Sequence, residues 1–162
     1  MRIWLCSRTR EYRRVAATVV LPGQWVVELG CHEGVTTSLL SKRRPGFVLG
    51  VDRSAHAVRT ATGRFPQLHF GVADALDSQL HELRENLQNR GATLADVKAC
   101  FLDLGGDARL STVLHALANL HCLPHLELLV AKSEELVRLK KQSEMLVQAD
   151  VGGLCCGAEK VE

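Results

Sequence analysis

The chain has 162 residues, 46% apolar and 23% charged, enough apolar material for a sizeable core and too much for global disorder. Lys plus Arg number 20 against 18 Asp plus Glu; a net charge of +2 excludes wholesale coating of nucleic acid and leaves room for a local basic patch. No apolar run reaches the roughly 18–20 residues that span a bilayer, so no membrane partner is expected, and aromatics at 4% exclude a broad base-stacking platform.

Taken in chain order, Met1–Arg8 holds too short an apolar stretch for a secretory leader. Thr9–Val20 predicts a helix that closes at Pro22-Gly23, a turn signal, and its cluster Arg8, Arg10, Arg13 and Arg14 is a candidate for phosphate contacts. The first core strand is expected at Trp25–Leu29. Further short apolar runs at Phe47–Val51, Leu68–Val72, Val97–Leu102 and Leu126–Ala131 read as buried strands. Helical spacing fills the gaps at Val35–Ser41, Ala55–Phe65, Gln79–Arg90, Leu110–His121 and Glu134–Val147. Ser54, Ser78 and Ser133 stand as N-caps, and Gly91 as a stop. Strand–helix alternation of this kind predicts an α/β fold, a three-layer doubly wound parallel sheet of about five strands in the order 3-2-1-4-5. Residues 1–147 form the expected domain, and 148–162 the expected disordered tail.

The six cysteines include no C-x-x-C pair, so reduced thiols, a cytoplasmic location and no metal site are expected.

The stretch Val26-Val27-Glu28-Leu29-Gly30-Cys31-His32-Glu33-Gly34 says most about function. A buried strand ends, the chain turns on two glycines, and a helix follows with its free N–H groups facing the turn. Ligands of open α/β sheets bind at such carboxyl edges. The dinucleotide fingerprint G-x-G-x-x-G is absent, and Glu28 beside a pyrophosphate would repel it. An acid there suits a cationic ligand.

E-L-G-C-x-x-G after an apolar strand resembles motif I of the class I S-adenosylmethionine-dependent methyltransferases. The family's further landmarks follow in order. Asp52 ends the second strand, 24 residues after Glu28; Gly71-Val72-Ala73-Asp74-Ala75 follows the third; Asp96–Asp103 resembles motif IV. The resemblance implies S-adenosyl-L-methionine as cofactor, with Glu28, Gly30, Cys31 and Gly34 around its methionine end. It implies Asp52 and Arg53 at the ribose, and Asp74 and Ala75 at the adenine. Asp103 would face the transferred methyl.

Two departures stand out. His32 occupies a position where the family has glycine. The antiparallel hairpin that follows the family's fifth strand has no room here, so the last helix or a partner, such as a second copy, is expected to cover that edge, unless the form is a shortened one. Lys132, 29 residues after Asp103, makes a pair similar to the Asp and second Lys of the ribose 2′-O methyltransferases of the heat-shock rRNA type, with Arg14 in place of the first Lys. A lysine beside an acid and a ribose can draw the proton from a 2′-hydroxyl. Asp103 and Lys132 are therefore the catalytic candidates, and RNA the favoured acceptor. The alternative is a cofactor-binding module that is inactive or regulatory.

Overall fold

The computed structural model describes the backbone of residues 1–153 and side chains through Ser143. Strands and helices alternate: β1 (Arg2–Cys6), α1 (Thr9–Ala16), β2 (Trp25–Leu29), α2 (Val35–Ser41), β3 (Phe47–Asp52), α3 (Ala55–Arg64), β4 (His69–Val72), α4 (His81–Gln88), β5 (Val97–Leu102), α5 (Leu110–Asn119), β6 (Leu128–Lys132) and α6 (Glu134–Gly153). They build one parallel sheet in the order β1-β6-β5-β2-β3-β4. The five expected strands keep their expected order. A sixth, β1, is added.

β1 corrects the reading of the N-terminus. The sequence pattern assigned no strand to Arg2–Cys6, yet it pairs in parallel along all of β6, from Arg2 opposite Leu128 to Cys6 opposite Lys132. The edge expected to need the last helix or a partner is therefore covered by the chain's own first residues. The expected tail also shifts. Helix α6 runs through Gly153, and the remaining positions, 154–162, lie outside the described residues.

Strand alternation puts successive side chains on opposite faces, and each face packs its own layer. Val27, Leu29, Leu49, Val51 and Leu102 pack with Leu83 and Leu87 of α4 and Val113 of α5. Val26, Val48, Phe101 and Val130 pack on the other face with Tyr12 and Ala16 of α1 and Leu40 of α2. Helix α4 starts two residues later than its spacing suggests. Asp77, not Ser78, caps the turn: its carboxylate accepts from the backbone N–H of Gln79 (3.1 Å) and of His81 (2.6 Å). Gly91 stops that helix at φ +73°, as expected.

Tyr12 lies wholly buried, its ring edge-on to Phe101 with centroids 5.9 Å apart, and its hydroxyl has no hydrogen-bond partner among the described residues. A buried hydroxyl without a partner is a standing cost of order 1–3 kcal/mol. Tyr12→Phe should therefore leave unfolding free energy unchanged or raise it by about 1 kcal/mol, read by urea denaturation. A loss larger than that would reveal a hydroxyl partner.

Candidate functional site

The parallel register places the carboxyl ends of β2, β3, β5 and β6 along one edge, and a crevice of about 720 Å³ opens there. Gly30, Asp52, Arg53, Asp74 and Ala75 line it, as do Asp103 and Lys132. These are all but three of the residues expected at the site.

Gly30 sits at φ +86°, and a Cβ there would lie 1.9 Å from the carbonyl oxygen of Asp103. The β2 and β5 turns thus touch backbone to backbone at the centre of the crevice. His32 holds φ +47°, a left-handed conformation that glycine adopts more readily. Its backbone N–H donates to Asp52 Oδ2 at 2.9 Å, while its side chain lines the crevice. The backbone geometry of the glycine position survives, with an imidazole added.

Asp52 accepts a second backbone bond, from Ser54 N–H to Oδ1 at 2.9 Å. A carboxylate offers about four lone-pair sites, so one remains on each oxygen, a match for a vicinal diol. Asp74 Oδ1 accepts from Leu76 N–H (2.9 Å), and its other oxygen is left for an amino group. Between these turns, Leu76, Leu104 and Ala108 give the wall an apolar stretch. Diol, amino and apolar contacts in that order fit the nucleoside end of the cofactor that the sequence implies.

Glu28, Cys31 and Gly34 are not among the residues that line the crevice. Glu28 is 1% exposed and accepts from Thr37 Oγ1 at 2.5 Å, between β2 and α2. Burial, reinforced by the Asp103 charge and opposed by the Thr37 and Thr36 hydroxyls, raises its pKa to about 8. Cys31 is buried with its Sγ near the carbonyl of His32, and burial pushes its thiol up as well. Gly34, at φ +76°, starts α2, and a Cβ there would meet the Phe70 ring at 2.6 Å. Its need for glycine is a packing need.

At the far end of the crevice Lys132 Nζ lies 2.8 Å from Asp103 Oδ1 and donates to Thr9 Oγ1 at 3.2 Å. Lys132 is 9% exposed and Asp103 17%, so the pair is largely shielded from water. Asp103 Oδ1 also accepts from Gly105 N–H (3.0 Å), leaving Oδ2 without a partner among the described residues. Sequence reasoning missed Thr9, and of the arginine cluster it is Arg13 that lines the crevice, where Arg14 does not. With α1 placed by β1, which was itself unread, the choice between adjacent arginines had no signal.

No family model matches the chain. The trans-aconitate 2-methyltransferase of Rhodopseudomonas palustris (strain HaA2) is 47% identical over 67 residues, 40% of this chain and 26% of that protein. That of Azoarcus sp. (strain BH72) is 44% identical over 70 residues, 42% of this chain and 28% of that protein. The matched stretch takes in only about a quarter of these curated relatives' length. Among solved structures, a TehB-like SAM-dependent methyltransferase from Corynebacterium glutamicum superposes with a TM-score of 0.51 at 23% identity, covering 69% of this chain and 55% of that one. TrmK of M. capricolum, in complex with S-adenosylhomocysteine, gives 0.54 at 12% identity over 82% and 55%. The fold is the same.

Two outcomes check the crevice floor. Gly30→Ala should lower unfolding free energy by more than about 2 kcal/mol, measured by chemical denaturation, because it adds strain at positive φ to a backbone clash. For Glu28 the native pKa of about 8 lies above the unfolded value near 4.3. Between those values the native state keeps a proton that the unfolded chain has lost, so stability should fall as pH rises from about 5 to 8. Glu28→Gln should flatten that slope in thermal melts taken across the range.

Proposed function

We propose that the chain, which is similar to trans-aconitate 2-methyltransferases over about 40% of its length and shares the fold of SAM-dependent methyltransferases, is an S-adenosylmethionine-dependent methyltransferase acting on an acceptor oxygen. The observation that carries this reading is the shielded Asp103–Lys132–Thr9 cluster at the end of a crevice with nucleoside-type contacts. Asp52 would hold the ribose hydroxyls and Asp74 the adenine amino group, with Gly30 letting the cofactor approach the backbone. The bound cofactor supplies a methyl group on a sulfonium, a carbon activated for displacement.

What remains for the protein is largely positioning. An ammonium has three N–H donors; Asp103 and Thr9 engage two of those on Lys132, and the third is left for an acceptor oxygen. Asp103 Oδ2 is placed to take the hydrogen of an acceptor hydroxyl. Lys132 balances the charge of Asp103, so the site can orient an oxygen without repelling it. Two classes of acceptor are drawn from the sequence and the relatives: the RNA ribose that the Asp103–Lys132 pair suggests, and a small acid, since the relatives are trans-aconitate 2-methyltransferases.

Isothermal titration with S-adenosylmethionine should show binding that Asp52→Ala weakens by about 1–3 kcal/mol, the worth of charge-assisted hydrogen bonds. Lys132→Met and Asp103→Asn should bind cofactor normally yet lower methyl transfer by about 100-fold or more, followed with tritiated methyl groups. Binding without transfer to RNA, protein or small acids would instead support an inactive module.

A further inference from the structure

A second cavity, of about 440 Å³, opens beside the crevice and shares Thr9, Gly105, Asp107, Ala108 and Lys132 with it. Its outer wall comes from the segment that leaves β1, Ser7 and Arg8, and from Ser133 and Arg138 on β6–α6. The remaining side is the Gly105-Gly106 turn after β5. From the geometry we infer that this cavity is the acceptor subsite, that it takes a small hydroxy acid, and that Arg8 and Arg138 set its specificity. The inference rests on the methyltransferase reading and deepens it.

The position follows from Lys132. Its nearly buried ammonium borders both spaces, as do Thr9, Gly105, Asp107 and Ala108, so a group in the second cavity lies next to the crevice at the Asp103–Lys132 end. The chemistry follows from the lining. Among the described residues Ala108 is its one apolar side chain, and no aromatic side chain lines it. A nucleobase recognised here would lack the stacking partner on which single-stranded RNA recognition depends.

The charges are mixed, and each sign has work for a different part of the ligand. Glu135 is engaged, its carboxylate accepting from Leu110 N–H at 2.6 Å at the start of α5. Asp103 balances Lys132. Glu11, which also feels Arg8, is already held by the N–H and hydroxyl of Ser7, both at 2.9 Å. That leaves Arg8 and Arg138 to grip a carboxylate, for which the guanidinium fork is suited. Asp107 and Glu134 are left to accept from hydroxyl groups. A molecule carrying both carboxylate and hydroxyl satisfies both sets. One of its hydroxyls, facing Asp103 Oδ2, loses its proton there as the oxygen gains the methyl from the sulfonium. The C–S bond breaks and sulfur keeps the electron pair.

The full chain saturated with S-adenosylhomocysteine provides the test. Citrate, malate, tartrate and gluconate are titrated by calorimetry, with trans-aconitate as an acid lacking a hydroxyl, and an oligoribonucleotide. At least one hydroxy acid should bind, and more tightly than trans-aconitate. Arg8→Gln and Arg138→Gln should each weaken it about tenfold while leaving S-adenosylhomocysteine affinity within about twofold. Arg14→Gln, exposed and outside both cavities, should change neither. The inference is overturned if no hydroxy acid binds, if trans-aconitate or RNA binds more tightly, or if both arginine variants bind like the parent. Failure of S-adenosylhomocysteine itself to bind would instead remove the methyltransferase reading.

Discussion

The parallel register of the sheet governs everything at the site. Leu29 lies opposite both Val51 and Leu102, Leu102 opposite Ala131, and Cys6 opposite Lys132. Because all six strands run the same way, the residues that end them arrive at one edge whatever the crossover lengths. Asp52, Asp103 and Lys132, far apart in the chain, become neighbours of one crevice by that constraint alone. The closest point of the arrangement is Gly30 against the Asp103 carbonyl, where no side chain fits.

Much of this was legible in the sequence, and for a definite reason. Buried parallel strands read as short continuous apolar runs, so Trp25–Leu29 and Val97–Leu102 match their spans residue for residue. Polar residues that break such a run at its end have to face the carboxyl edge or a helix, which exposed Asp52, Asp74, Asp103 and Lys132. Glu28 was legible as unusual but not as to its direction. It precedes the end of β2 by one residue, and alternation turns its side chain under the sheet toward Thr37 instead of into the crevice. At Gly34, positive φ and tight packing against Phe70 demand glycine as firmly as a ligand does.

β1 was not legible because its signal is weak and its partner remote. Arg2, Ile3 and Trp4 are exposed and only Cys6 is fully buried, so the segment has neither the burial of β2 nor the alternation that marks a core strand. The pairing with β6 becomes visible only once the rest of the sheet exists. Its consequence is large, since β1 and α1 carry Ser7, Arg8, Thr9 and Arg13 to the working edge. The parallel strand β1, from the start of the chain, lies beside β6 and is followed by polar side chains of its own. The new outer edge leaves Ile3 and Trp4 more than 40% exposed.

A crystal structure of the chain grown with saturating S-adenosylhomocysteine tests the central assignment most directly. The expected density has the ribose on Asp52, the adenine between Asp74 and Leu104, and the sulfur toward the Asp103–Lys132 pair. Density elsewhere on the protein, with the crevice vacant and Asp52 bound only by the N–H groups of His32 and Ser54, would contradict it.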